Sequence, residues 1–140
     1  MPDLLPDLSK HANFMTDVLK DNPDLYQALK EKKTTLGVNL GHCIKTGIDN
    51  RGHPHIKTCG IVAGDEESFT MFAPFFDAVI DARHNGYGPN AKHPTDMDIS
   101  HLSKTIIDPS GKYVLTSRCR TGRSVRTFRL PPCNNFEERR

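Results

Sequence analysis

The chain has 140 residues and a mass of 15.7 kDa, enough for one ordinary domain or slightly more. A hydrophobic share of 36% beside 26% charged residues, with a net charge of +2, describes a soluble globular protein and excludes a disordered tail. Apolar runs are short and interrupted, so no membrane-spanning helix is expected; the opening tract from Met1 to Lys10 carries two acids and two prolines and does not read as a targeting segment.

Pro2 and Pro6 imply an extended start. Ser9 is the expected cap of a helix over 10–20, with Phe14, Met15, Val18 and Leu19 on one stripe. Asp21-Asn22-Pro23-Asp24 combines a capping side chain with a first-turn proline and opens a second helix to about Lys32 that buries Leu25, Ala28 and Leu29. Asn39 can cap a third helix with Leu40, Cys43 and Ile44 inward and Gly47 closing it. Residues 48–58 lack a sustained period, hold Gly52 and Pro54, and read as a mobile loop. Asp65-Glu66-Glu67 suits a helix start, and Phe69, Phe72, Phe76, Val79 and Ile80 follow helical spacing. Pro74 should kink or break that helix and Asn85-Gly86 should end it. Residues 88–112, with their glycines and prolines, read as a linker.

From Tyr113 the composition changes. Residues 113–120 and 125–130 are rich in β-formers and are predicted as two short strands, stopped by Pro131-Pro132. Glu137-Glu138-Arg139-Arg140 resembles a first helical turn. Two strands do not make a stable sheet alone. The predicted architecture is therefore a small all-α domain over 1–87, a linker over 88–112, and over 113–140 the opening strands of an α/β (α+β) domain that is mostly absent.

Charge points to an anion near that opening. Seven of the nine arginines follow residue 117, and Arg118, Arg120, Arg123, Arg126 and Arg129 have no acid between them. In a strand Arg118 and Arg120 would share a face with Thr116, ~7 Å apart at the backbone. Two guanidinium forks there could grip neighbouring phosphates, with Arg123 curling back after Gly122. A solvated basic edge strand is the other reading of this stretch. RNA binding fits poorly, since only Phe128 offers a stacking surface nearby.

Other clusters are weaker. Gly64 to Ser68 is expected to be a solvated helix N-terminus rather than a catalytic carboxylate cluster. His53 and His55 lack a third metal ligand, so no metal site is expected. Arg83-His84 either complements a helix dipole or faces an active site. Cys43, Cys59, Cys119 and Cys133 form no C-x-x-C pair and no zinc spacing, and are expected to be reduced thiols of a cytoplasmic protein.

Several tracts resemble the phosphagen (guanidino) kinase family, and most closely the N-terminal third of its creatine kinases. They are Thr46-Gly47-Ile48-Asp49-Asn50, Gly52-His53-Pro54, Val62-Ala63-Gly64-Asp65-Glu66-Glu67-Ser68, Arg83-His84-Asn85-Gly86-Tyr87, and Ser117-Arg118-Cys119-Arg120-Thr121-Gly122-Arg123-Ser124. Leu130-Pro131-Pro132 and Glu138-Arg139-Arg140 continue the match, which covers nearly the whole chain in order.

The resemblance implies reversible transfer of the γ-phosphoryl of MgATP to a small guanidino compound, creatine first, for cellular energy buffering. ATP or ADP would meet Thr116, Ser117, Arg118, Cys119, Arg120 and Arg123. Arg83 would be the catalytic arginine from the helical domain. His53, Ile56 and Cys59 would belong to the loop that closes over the guanidino substrate. Magnesium would arrive with the nucleotide, with no protein ligand in this stretch. A homodimer or larger homo-oligomer, involving Asp49, is implied too, with no nucleic-acid or membrane partner. Creatine kinases usually carry valine at the position of Cys59, serine at Thr116, and valine or isoleucine at Cys119. These departures keep glycocyamine, taurocyamine and arginine open as substrates. The family's catalytic carboxylate, reactive cysteine and adenine site belong beyond residue 140, so the 140-residue chain alone is expected to be inactive. A non-catalytic interaction module in a larger assembly is the reading from another class.

Overall fold

Asn13 begins the first helix, α1 (Phe14–Asp21), with an extended backbone and a side-chain Oδ1 that accepts the Thr16 N–H at 2.9 Å. Ser9 does not cap it. The amides of Ala12, Phe14 and Met15 donate to the carbonyls of Arg51, Thr58 and Cys59 at 2.6, 3.0 and 3.1 Å, so the segment before α1 pairs with a loop instead of winding into helix. The computed structural model describes residues 5–131 and 133–140; the expectation at Pro2 and part of that at Pro131-Pro132 lie outside them.

Helix α2 (Asp24–Leu29) has Pro23 as its cap residue and so lacks a side-chain cap, while the Asn22 N–H closes α1 on Val18. It ends near Leu29 rather than Lys32, where the Lys32 N–H turns back to the Leu29 carbonyl. Helix α3 (Leu40–Asp49) has a reciprocal cap: Asn39 accepts the His42 N–H, and the His42 ring accepts the Asn39 N–H. Gly47 does not close α3 but sits inside it. A Cβ there would collide with the Gly60 carbonyl oxygen and lie 2.6 Å from Met15 Cε. The glycine is needed for close approach, not for a turn.

Helices α4 (Ser68–Met71) and α5 (Ala73–His84) replace one longer helix, broken at Phe72 with Pro74 in the first turn of α5. Asn85 ends α5 in the left-handed region at φ 55°, its N–H returning to Asp81. Arg83 and His84 occupy the last turn, where a cation suits the helix dipole. The apolar faces meet in one core, with Met15, Leu40, Ile44, Phe72, Phe75 and Val79 all 1% exposed or less. Phe69, expected on that stripe, is half exposed.

Packing divides the chain into two compact units. One takes in the described residues to Asn90 together with those from Ser124 to Arg140; the other is Ala91–Arg123. In the first, the Leu130 N–H donates to the Gly64 carbonyl at 2.8 Å, and Cys133 packs on the core. The strands predicted over 113–120 and 125–130 are not formed. No strand ladder occurs among the described residues, only isolated bridges such as Ala12 with Gly52 and Asn13 with Thr58, so β-forming sequence there has nothing to pair with. Residues 136–139 form a turn rather than helix. In the second unit Ile99–His101 makes one 3₁₀ turn.

Asp108 organises the approach to the expected strand. It accepts hydrogen bonds from Ser110 Oγ at 2.6 Å and from the amides of Tyr113 and Val114 at 2.6 and 3.0 Å. The Ser110 hydroxyl first, then these amides, hold its carboxyl below the usual 3.8, at about 2. A depressed folded value means the turn is fully supported above pH 3.8 and loses that support as pH falls through about 2. The Tyr113 and Val114 amide resonances should titrate together with a midpoint near 2; a midpoint near 3.8 would show that Asp108 does not hold the turn.

Gly47→Ala should cost about 1–3 kcal/mol in urea unfolding, the usual penalty for overpacking. Gly88→Ala, where a Cβ meets nothing within 4 Å, is the control and should change little. Equal losses at both positions would refute the close-approach explanation.

Candidate functional site

The loop after α3 is held at both ends. Arg51 is tied to Ala12, and Thr58 and Cys59 are tied to Phe14 and Met15 by the bonds described above. Between these stems the tip is exposed and self-contained: the Ile56 N–H donates to the His53 carbonyl at 3.0 Å, and the His55 N–H to His53 Nδ1 at 3.2 Å. Ile56 is 72% exposed. Thr46, Asp49, Asn50, His53, Ile56, Thr58 and Gly60 line an open cavity of about 610 Å³ under the loop. His53 and Ile56 therefore face one space. Cys59 stands at the stem, its carbonyl used by Met15 and its thiol exposed.

Arg83 comes to this loop through an aromatic ring. Its guanidinium carbon lies 5.8 Å from the centre of the Phe14 ring, and Lys57 Nζ of the loop lies 4.9 Å from the same centre. Lys57 also pairs with the Asp17 carboxylate. The loop, the start of α1 and the end of α5 thus converge on Phe14. Phe14 was legible only as a position on the apolar stripe of its helix; nothing in its spacing marks it as the neighbour of a distant arginine.

The arginine run divides. Thr116, Ser117, Arg118, Cys119, Arg120 and Arg123 lie in the second unit, all exposed and outside regular structure, with Arg123 Nη1 bonded to its neighbour's carbonyl at Gly122. Strand geometry therefore does not impose the shared face expected for Arg118 and Arg120. Arg126 and Arg129 pack in the first unit and already have carboxylates: Arg126 with Glu66 at 3.4 Å, and Arg129 with Glu138 at 3.1 Å. The Asn135 amide and then Arg129 hold the Glu138 carboxyl below its usual range.

Asp65 also departs from expectation. It is 1% exposed, not solvated, and accepts from Thr34 Oγ1 at 2.5 Å, Ser68 Oγ at 2.7 Å and the Ser68 N–H at 2.9 Å. Such a satisfied buried carboxylate locks α4 to the turn before Val38. A second cavity, about 680 Å³ and lined by Leu36, Val38, His42, Lys45, Arg129 and Cys133 among others, contains none of the expected site residues. Among the described residues no three His, Cys, Asp or Glu side chains gather as a metal site, and no helix is long and apolar enough to cross a membrane.

Burial pushes the Cys43 and Cys133 thiols above their ordinary value, whereas Cys59 and Cys119 are exposed. Maleimide at neutral pH should label Cys59 and Cys119 first, read by peptide mass spectrometry. Prior labelling of Cys43 would contradict the packing of α3.

The family model for the N-terminal domain of ATP:guanido phosphotransferases matches residues 9–81. Creatine kinase M-type from Rattus norvegicus is 52% identical over 136 residues, 96% of this chain and 35% of that protein. The flagellar creatine kinase of Strongylocentrotus purpuratus is 50% identical over 135 residues, 96% of this chain and 11% of that protein. A crystal structure of lombricine kinase superposes with a TM-score of 0.74 at 36% identity, over 97% of this chain and 35% of that one. The chain belongs to the ATP:guanido phosphotransferase, or phosphagen kinase, family and carries its N-terminal domain. It spans about a third of the length of the rat relative.

Proposed function

We propose that this chain is the N-terminal part of a guanidino kinase that moves the γ-phosphoryl of MgATP reversibly onto creatine, in the cytoplasm, as a homodimer or larger homo-oligomer. The observation that carries the reading is the meeting of loop 50–59 and Arg83 around Phe14, which sets an exposed, cavity-lining segment beside a guanidinium. The relatives named creatine kinase support creatine over other guanidino acids, and Cys59 is the position where a different acceptor would make itself felt.

Phosphoryl transfer needs alignment and charge neutralisation more than covalent help. In this reading Arg83 stabilises the charge of the phosphoryl group in flight. His53, Ile56 and Cys59 surround the guanidino substrate and exclude water from it. Thr116, Ser117, Arg118, Cys119, Arg120 and Arg123 take the nucleotide phosphates once residues 113–120 form a strand with pairing partners from a catalytic domain. The ion pairs support that division of labour: Arg129 is held by Glu138 at 3.1 Å, and Arg126 lies 3.4 Å from Glu66.

A coupled ATP assay tests this on protein expressed from the complete reading frame, with creatine, glycocyamine, taurocyamine and arginine as acceptors. Turnover should be greatest with creatine, and the 140-residue chain alone should show none. Arg83→Ala should lower kcat by about 100-fold or more, as loss of a transition-state donor does, and Arg83→Lys should not restore it. Arg118→Ala and Arg120→Ala should weaken nucleotide binding more than Arg126→Ala at fixed salt. Absence of turnover with every guanidino acceptor would leave the interaction-module reading.

A further inference from the structure

Among the described residues, loop 50–59 has an ion pair to α1 through Lys57. Lys57 projects from the loop's C-terminal stem onto α1, where it pairs with Asp17 and lies over the Phe14 ring. Lys57 and Asp17 are both partly shielded, their side chains 39% and 35% exposed, so the pair is better protected from solvent than Lys45 with Asp49 on α3, at 69% and 53%. Among the described residues the tip that precedes Lys57 shows no ion pair, and the contacts of His53, His55 and Ile56 are with one another. The boundary between the held and the free part of the loop therefore falls between Ile56 and Lys57.

Phe14 gives that boundary a further consequence. The same ring has Arg83 at 5.8 Å. Two cations share one aromatic quadrupole, and the Asp17 carboxylate offsets their mutual repulsion by pairing with Lys57. Removing the Lys57 charge leaves Asp17 unpaired next to Phe14 and makes Arg83 the remaining cation on that ring. The position of Arg83 is thus linked to whether the loop stem is docked.

We propose that Lys57 is a positioning residue: through Asp17 and Phe14 it fixes the C-terminal stem of the loop on α1 beside Arg83, so that loop movement is confined to His53–Ile56. This rests on the guanidino kinase reading only for its effect on turnover; the restraint on the loop does not depend on it.

Hydrogen exchange by mass spectrometry on the 140-residue chain reads the restraint directly. Lys57→Met and Asp17→Asn should each speed exchange of the peptide spanning the loop by about three- to ten-fold, the range that one part-shielded ion pair and one cation–π contact give. Peptides from α3 and α5 should not change, which shows that the variants fold. Lys57→Arg should keep the native rate. The exchange Lys57→Asp with Asp17→Lys should recover part of it, and raising salt on the unaltered chain should mimic Asp17→Asn. In the complete enzyme Lys57→Met should raise KM for the guanidino acceptor more than it lowers kcat, and Lys57→Arg should restore KM. Loop exchange indifferent to Lys57→Met, Asp17→Asn and salt would overturn the proposal. Faster exchange in a protein without guanidino kinase turnover would uphold the tether while removing the functional reading.

Discussion

The fold hinges on one buried amide. Asn13 is fully buried and uses both ends of its side chain: Oδ1 starts α1 through the Thr16 N–H, and Nδ2 donates to the Gly47 carbonyl at 3.0 Å inside α3. A Cβ on Gly60 would lie 2.5 Å from the same Oδ1, and Gly60 itself sits at φ 81°, a left-handed conformation that glycine adopts without strain. Three segments distant in sequence are therefore fixed against one polar group. Such a group is costly to bury unless every partner is in place, so it specifies the arrangement more sharply than apolar contact could. His11 adds a second link, with its Nε2 against the Ile48 carbonyl at 2.9 Å.

From that joint the candidate site follows mechanically. The start of α1 holds the loop stems, and Phe14, the residue after Asn13, presents its ring to Lys57 and Arg83. A loop anchored at its ends and free at its tip can move without disturbing the core. The helical unit thus brings the Arg83 guanidinium and an exposed loop tip to one side of Phe14. The phosphate-binding stretch proposed at 116–123 belongs to a separate unit whose sequence is suited to strands but has no ladder to join.

Much of the helical unit was legible in the sequence because its signals are local. Asn39, Pro74 and Asn85 act where capping and breaking rules place them. The misreadings have long-range causes. Ser9 is a good cap by type, but the three amides before and within the first turn of α1 are taken by a loop some forty residues away. Gly47 is a fair helix terminator until Gly60 is packed against it. Asp65 looks like a solvated first-turn acid and is a buried hub for Thr34 and Ser68. The five arginines look like one patch because the carboxylates that pair with Arg126 and Arg129 are remote or follow the run. In the candidate site His53, Ile56 and Arg83 were found by resemblance to a family, while Phe14, Asp17 and Lys57 become visible only once helices and loop are packed together.

The central claim is that the loop stem and the start of α1 are one mechanical body joined at Asn13. Native-state amide exchange, resolved by residue, tests it most directly. The Phe14 and Met15 amides, whose acceptors lie in the loop, should open with the same free energy and the same denaturant dependence as the core amides Phe75 and Phe76. Opening of Phe14 and Met15 at a much lower free energy, with little denaturant dependence, would mean that the loop stem detaches independently and would contradict the account.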